Sequence, residues 1–345
     1  MMDKPPSVVA IVLVYNKWPL LQRSLPAIFE SDVQNLHVIV VDNGSATPAP
    51  SELDSWLRRC EVIRNKKNLG YAGGNNVGIR RAFDLGAEYI LLLNDDAFLE
   101  KTCLRRLLDV LHGNQDVGAV GPLVFNAQSP EVLQSAGGLW SEEQMFAYHR
   151  DGGRPPRVNY PPLLPADYVD GCCLLVRSSA LRQAGVLDEG FFIFFEEVEL
   201  CFRIRGLGFR CTVVRDARVD HQGAATIVAQ SPSRTYLFAR NRVLYARKTS
   251  RGMGRIPRIL RSIRAEVVRE AAPLLGMQNP VSQPPFQASA DPTQPAGPFA
   301  RGPVLRAWIR GNIDGLLGLE GAPPAWTFED SARLPGPSGS TTMRG

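Results

Sequence analysis

The run Val8-Val9-Ala10-Ile11-Val12-Leu13-Val14 (VVAIVLV) constrains this chain more than any other feature. A strand with one wet face alternates apolar and polar residues, so an unbroken apolar run predicts a strand covered on both faces. A second run, Leu36–Val41 (LHVIVV), ends in the turn-forming cluster Asp42-Asn43-Gly44-Ser45. Between the two, Pro19–Phe29 places Leu20, Leu21, Leu25 and Ile28 on one side of a helix. A strand–helix–strand crossover of this kind makes a parallel sheet with right-handed connections. The alternation continues with a strand at Cys60–Arg64, a helix at Asn75–Leu85 and a strand at Tyr89–Leu93. A helix at Leu99–Leu111 and a strand at Val117–Phe125 follow. The fold class is therefore α/β.

The rhythm then loosens. Asn126–Pro165, with two Gly pairs and many prolines, predicts a long irregular insertion. Order returns as a strand at Tyr168–Arg177, a short helix at Ser178–Ala184 stopped by Gly185, a helix at Glu196–Leu207 and a strand at Arg210–Val219. Ser233–Lys248 and Arg258–Leu274 read as basic helices, Gln278–Pro303 as a linker or loop, and the last ten residues as disordered. With 345 residues, 44% of them hydrophobic, the chain is long enough for one large domain or two, and wholesale disorder is excluded. No apolar run approaches the roughly 20 residues that cross a bilayer. The N-terminus shows no signal-peptide pattern, so a soluble cytoplasmic protein is expected. The six cysteines are scattered, without a C-x-x-C pair, and read as buried thiols.

In open α/β sheets ligands bind beyond the carboxyl ends of the strands. Tyr15-Asn16, Asp42-Asn43, Asn68 through Gly74, and Asn94-Asp95-Asp96 should therefore converge. An aromatic ring, amides and three carboxylates at one edge suit a nucleotide-diphosphate compound. Tyr15 would stack on a base, Asp42 would accept from a base N–H or a ribose hydroxyl, and the segment with Asn68, Gly73 and Asn75 would approach phosphates. Asp95-Asp96 after an apolar strand suits Mg²⁺ or Mn²⁺ shared with phosphate oxygens; a plain helix N-cap is the bland alternative. The Gly-rich piece is neither a dinucleotide fingerprint nor a P-loop, which argues against a dehydrogenase and an ATPase.

Four of the five residues before Glu196 are Phe, in the run Phe191-Phe192-Ile193-Phe194-Phe195. A carboxylate beside such a wall has its pKa raised toward the working pH, which suits a general base. The alternative is an acidic first helical turn complementing the macrodipole. His221, after the strand Arg210–Val219, is a candidate metal ligand if it lies near Asp95 and Asp96, and otherwise a structural histidine.

The set VVAIVLVYN, VVDNGS, NLGYAGGNNVGI, LLLNDDA, DGCCLLVRSSALRQAGVLDEGFFIFFEEVELCFRIRGLGFR and VDHQG, in this order over residues 7–250, resembles glycosyltransferase family 2, and within it the rhamnosyltransferase-like bacterial enzymes. The resemblance implies a GT-A fold with a mostly parallel central sheet flanked by helices and a C-terminal helical extension. It also implies a nucleotide-diphosphate-sugar donor, a divalent cation (Mg²⁺ or Mn²⁺) and inversion at the anomeric carbon. By this likeness Tyr15 and Asp42 contact the base with Asn16 and Asn68 nearby, Asp95 meets the sugar or ribose, Asp96 and His221 hold the metal, and Arg240, of an Arg-Asn pair, lies near phosphate. The catalytic base maps to Glu197, beside Glu196, where the family usually carries Asp; Glu199 likewise replaces a common Asp. The implied division is a catalytic domain over 1–230 (donor half 1–125, acceptor half 126–230), a basic helical extension over 231–277, the Pro-rich 278–303, and a helix and tail over 304–345.

The implied partners are a dTDP-rhamnose or UDP-sugar donor and a glycan or polyprenyl-linked acceptor, in cell-surface polysaccharide or glycoconjugate synthesis. Residues 231–270 carry eleven Lys and Arg against two Asp and Glu. They read either as a peripheral contact at the inner face of the plasma membrane or as a solvated helix packed on the domain. Aromatics are not interleaved there in an RNA-binding pattern, so no nucleic-acid partner is expected. The rival readings are a sugar nucleotidyltransferase, which would carry a Gly-rich basic segment after the first strand, and a non-catalytic nucleotide-sugar-binding relative.

Overall fold

The computed structural model describes residues 7–223, 231–250, 254–271 and 302–332. The chain opens with β1 (Val8–Val14), a 3-10 turn at Trp18–Leu20, α1 (Leu21–Phe29), β2 (Leu36–Asp42), α2 (Asp54–Leu57), β3 (Glu61–Arg64), α3 (Gly70–Asp84) and β4 (Tyr89–Asn94). Next come β5 (Ala97–Leu99), α4 (Cys103–Gly113), β6 (Val117–Asn126), β7 (Ser129–Ser135), β8 (Gly138–Ser141), β9 (Phe146–His149) and β10 (Leu163–Ala166). The remainder is β11 (Cys173–Arg177), α5 (Ser178–Ala184), α6 (Glu196–Gly206), β12 (Arg210–His221), α7 (Pro232–Lys248), α8 (Arg255–Ala271), α9 (Gly302–Leu317) and α10 (Ala325–Ala332).

The main sheet runs β10-β12-β6-β11-β4-β1-β2-β3. β3, β2, β1 and β4 are parallel neighbours; β11 lies antiparallel between β4 and β6, and β12 is parallel to β6. The sheet is thus mixed but mostly parallel, as expected. β1 shows why its sequence is apolar throughout. Val8, Ala10, Val12 and Val14 join the core under α1 and α4, whereas Val9 and Ile11 join the core under α3 and α6. In α4, Leu104, Leu107, Leu108 and Leu111 repeat at helical spacing and are all buried in the first of these cores.

Four expectations need correction, each because tertiary pairing overrides local pattern. α3 begins at Gly70, so the Asn/Gly segment is mostly helix. A Cβ on Gly74 would stand 2.5 Å from Leu13, and one on Gly78 2.6 Å from Ile11. These glycines let α3 lie close on β1. The helix expected from Leu99 starts at Cys103, because Ala97–Leu99 pairs antiparallel with Val219–His221. Residues 126–165 are irregular only in part: β7 pairs β6, β10 pairs β12, and β8 and β9 form a hairpin, while 150–162 stay without helix or strand. Tyr168–Cys172 is a connection, with β11 starting only at Cys173.

α7 is buried along most of its length and packs against α9. Gly311 and Gly315 permit that approach: a Cβ on Gly311 would sit 2.4 Å from the Tyr236 carbonyl oxygen, and one on Gly315 2.8 Å from that of Arg240. All six cysteines are free thiols. Most of the expected linker 278–303 and all of the expected disordered tail lie outside the described residues.

Candidate active site

The strand ends meet at a cavity of about 640 Å³. Tyr15 from the end of β1, Asn43 after β2, Asn68 before α3, and Asn94, Asp95 and Asp96 at the end of β4 line one part of it. Asn43 ties this edge together: its amide donates to Asn68 Oδ1 (3.0 Å) and the Gly70 carbonyl (2.9 Å), and its Oδ1 accepts from the Leu69 amide (3.1 Å). Asn16, at φ 59°, accepts from the Ala46 amide (2.8 Å) and donates its own amide to Ser45 Oγ (2.9 Å), joining the β1 and β2 loops. Asp42 is buried, accepting from the Ser45 amide (2.8 Å) and pairing with Arg64 (3.1 Å).

The β5–β12 ladder puts His221 opposite Ala97, and therefore beside Asp96. His221 Nε2 lies 3.1 Å from Asp96 Oδ1. Burial opposes charge on both groups, yet their mutual attraction holds Asp96 below and His221 above the usual range. Burial and the Asp96 charge push Asp95 up to about 8. Gln134 orients the imidazole. Its amide nitrogen donates to the His221 carbonyl (2.6 Å), so its Oε1 faces Nδ1 (2.8 Å) and accepts the proton there. Nε2 and Asp96 Oδ1 are then two lone-pair donors that need a proton or a cation between them. Adjacent ligands of an octahedral ion with bonds of about 2.1 Å stand about 3 Å apart, so this pair fits a divalent cation completed by phosphate and water oxygens. Among the described residues no three His, Cys, Asp or Glu side chains form a cluster that would hold an ion unaided.

The opposing wall is the Phe run and the start of α6. Phe192, Phe194 and Phe195 have φ of 67°, 72° and 76°, a left-handed backbone that bulky residues avoid at a cost of about 1–3 kcal/mol each. Side chains from α7 hold this shape. The Asn241 amide donates to the carbonyls of Phe191 (2.9 Å), Ile193 (2.8 Å) and Phe194 (2.9 Å). Arg240 donates to the carbonyls of Phe191 (2.9 Å) and Gly321 (2.6 Å) and to Asn241 Oδ1 (2.9 Å). From the other side the Ala72 amide, in the first turn of α3, donates to the Phe192 carbonyl (3.1 Å). The result delivers Glu196 and Glu197 to the cavity, each with Oε2 buried and without a hydrogen-bond partner among the described residues. Burial pushes Glu197 up to about 7, with the Asp170 charge adding to it, and burial with the Glu197 charge holds Glu196 well above the carboxylate range.

Seven residues singled out from the sequence thus share the cavity wall: Tyr15, Asn68, Asp95, Asp96, Glu196, Glu197 and His221. Asn16 and Asp42 shape the loops behind it. Three are placed elsewhere. Gly73 is inside α3, where a Cβ would meet Leu69 at 2.8 Å. Asn75 is buried on the same helix and donates to the Tyr71 carbonyl (3.0 Å). Arg240, expected near phosphate, is 1% exposed and spent on the contacts above.

The sequence reading missed Asp170 and His149. Asp170 is part of the cavity wall, its side chain 14% exposed, 3.4 Å from His149 Nδ1, and accepts from the Cys172 amide (2.9 Å). Burial works against its charge, but His149 and His221 hold it low. The signal was the strand Cys173–Arg177: once β11 is antiparallel, the residues before it, rather than after it, face the site. Tyr71 was read as part of a Gly-rich turn; its hydroxyl reaches the Gly171 carbonyl (2.5 Å).

A mostly parallel sheet with a carboxylate-lined cavity at its carboxyl edge defines the class as an α/β transferase of the GT-A type. The chain belongs to glycosyl transferase family 2, whose model matches residues 9–182. It is similar to the low-salt glycan biosynthesis hexosyltransferase Agl10 of Haloferax volcanii, 33% identical over 62% of this chain and 71% of that one. It is also similar to the N-acetylglucosaminyl-diphospho-decaprenol L-rhamnosyltransferase of Mycobacterium tuberculosis, 24% identical over 67% of this chain and 83% of that one. Among solved structures it resembles the mannosyltransferase PcManGT of Pyrobaculum calidifontis, in complex with GDP-Man and Mn²⁺ (TM-score 0.53, 18% identity, 91% of this chain and 88% of that one). The protein is a glycosyltransferase with rhamnosyl- and hexosyltransferase relatives.

Proposed function

We propose that the protein is an inverting glycosyltransferase that moves a sugar from a nucleotide-diphosphate donor to a hydroxyl of a glycan or polyprenyl-linked acceptor. In this reading Tyr15, Asn43 and Asn68 bracket the nucleoside end of the donor, and Asp95 meets its ribose or sugar. Asp96 and His221 would hold a divalent cation, which when bound supplies positive charge to the leaving diphosphate. Glu197 takes the proton of the acceptor hydroxyl as that oxygen bonds to the anomeric carbon. The bond from that carbon to the phosphate oxygen breaks, and its electron pair leaves with the nucleoside diphosphate. The Phe wall and the β8–β9 hairpin exclude water, which limits donor hydrolysis. The rhamnosyltransferase likeness favours dTDP-rhamnose as donor. α8 exposes Ile256, Leu260 and Val268 together with Arg255, Arg261 and Arg264, a face suited to an anionic membrane surface where a polyprenyl-linked acceptor would reside.

The observation that carries this reading is the pairing, in one cavity, of a cation-competent Asp96–His221 pair with Glu197, whose Oε2 is buried and without a hydrogen-bond partner among the described residues. Glu197→Gln keeps the shape and removes the base. Transfer should fall by about 10²–10⁴-fold, with dTDP or UDP affinity within about twofold by calorimetry. Transfer at the wild-type rate would remove Glu197 from the mechanism.

A further inference from the structure

Arg234, in the first turn of α7, lines the cavity beside the Phe run. Its guanidinium carbon lies 4.6 Å from the Phe238 ring centre and 5.8 Å from that of Phe194. The other cations of this region are engaged. Lys248 pairs with Asp188 and Glu320, Arg203 with Glu199, and Arg240 with backbone carbonyls. Among the described residues no carboxylate pairs with Arg234, and the hydrogen bond of this residue, to Ser231 Oγ, is made by its backbone amide. Burial with no compensating anion pulls its pKa down to about 10. A guanidinium held against aromatic faces in a cavity, with its donor fork unspent, is set up to receive a planar or tetrahedral oxyanion in bidentate fashion. Phe194, Phe238 and Phe328 line the same cavity, so the anion's carrier meets apolar surface.

We propose that Arg234 forms a phosphoryl-binding subsite of this cavity, built from elements different from those that carry the Asp96–His221 pair. The inference rests on the transferase reading and deepens it by assigning a second phosphate contact. The phosphoryl group has two chemical sources: the diphosphate of the donor, or a phosphate that links the acceptor to an apolar chain. The aromatic surroundings favour the second.

Calorimetry on the full chain separates them, using wild type, Arg234→Gln and Arg234→Lys. The probes are dTDP with Mn²⁺, farnesyl phosphate, and farnesol as the neutral control. Loss of one bidentate charge-assisted contact should weaken farnesyl phosphate binding to Arg234→Gln by about tenfold or more. dTDP and farnesol should stay within about twofold, and Arg234→Lys should fall between. If dTDP weakens about tenfold instead, the subsite stands and its phosphate belongs to the donor. If neither phosphate ligand changes in a variant that melts like wild type, the subsite is overturned. Should Arg234→Gln not fold, Arg234→Lys decides: phosphate binding equal to wild type overturns the proposal, and a loss of about threefold or more supports it. Wild-type protein that binds neither phosphate ligand overturns the transferase reading and the subsite together, whereas Glu197→Gln tests the transferase reading without touching Arg234.

Discussion

The two walls of the cavity are built on opposite principles. The strand-edge wall, with Tyr15, Asn43, Asn68, Asp95 and Asp96, rests on regular parallel strands, and its amides largely satisfy one another. The wall that carries Glu196 and Glu197 rests on three phenylalanines in left-handed backbone, held by donors from α7 and by the Ala72 amide of α3. A regular edge suits the recognition of a large ligand through many satisfied contacts. A strained, externally clamped segment can hold a carboxylate oxygen away from water and without a hydrogen-bond partner, as at Oε2 of Glu196 and Glu197 among the described residues. Under the proposed function, binding and proton transfer fall to surfaces of different backbone regularity and different polar satisfaction.

That contrast breaks first at the clamp. Asn241→Ala removes the amide donor from the Ile193 and Phe194 carbonyls, leaves that of Phe191 to Arg240, and loosens the Phe run. Turnover should fall by about 10²-fold, the usual consequence of misplacing a catalytic group by about 1 Å. Stability to urea should drop by about 2–4 kcal/mol, while dTDP affinity stays near wild type. A variant with normal turnover would show that the strained geometry is irrelevant to Glu197. The strand-edge wall is probed through Gln134→Leu, which removes the Gln134 Oε1 contact to His221 Nδ1. Losing such an outer contact costs about 10–100-fold in metal affinity, so the Mn²⁺ concentration for half-maximal activity should rise by about tenfold. An unchanged Mn²⁺ dependence would take His221 out of cation binding.

The smallest effect is on pH. Glu197 must be ionised to accept a proton, and it sits near 7, so activity should fall as pH drops through about 7. Asp170 contributes to that elevation, so Asp170→Asn should move the acidic limb to lower pH. A limb that stays in place would separate Glu197 electrostatically from the strand-edge wall.

Legibility followed the same divide. β1, β2, β4 and β6 were readable because double-sided burial forces uninterrupted apolar sequence, and Tyr15, Asp95 and Asp96 came with them as the residues just beyond. The Asn/Gly segment misled because glycine serves a turn and a close helix–sheet contact equally well: Gly74 and Gly78 are there for Leu13 and Ile11. The basic run at 231–270 misled in the other direction. Charge by itself reads as solvated surface, yet Arg240 and Arg242 are each 1% exposed, and burial of a cation depends on acceptors that lie far away in sequence.

Local composition determined that this chain would form a largely parallel, doubly covered sheet with acidic and amide residues at its carboxyl edge, because side-chain periodicity and strand-end chemistry are short-range properties. The family motifs extended that to the residues that meet there. Tertiary structure alone decided that β11 runs backwards and brings Asp170 to the site, by which ladder (β5–β12) the expected Asp96–His221 pair is assembled, and that Asn241 and Arg240 clamp the Phe run. Those outcomes depend on pairings across about 50 to 130 residues of chain, and no short-range pattern encodes which distant partner a strand or a carbonyl will find.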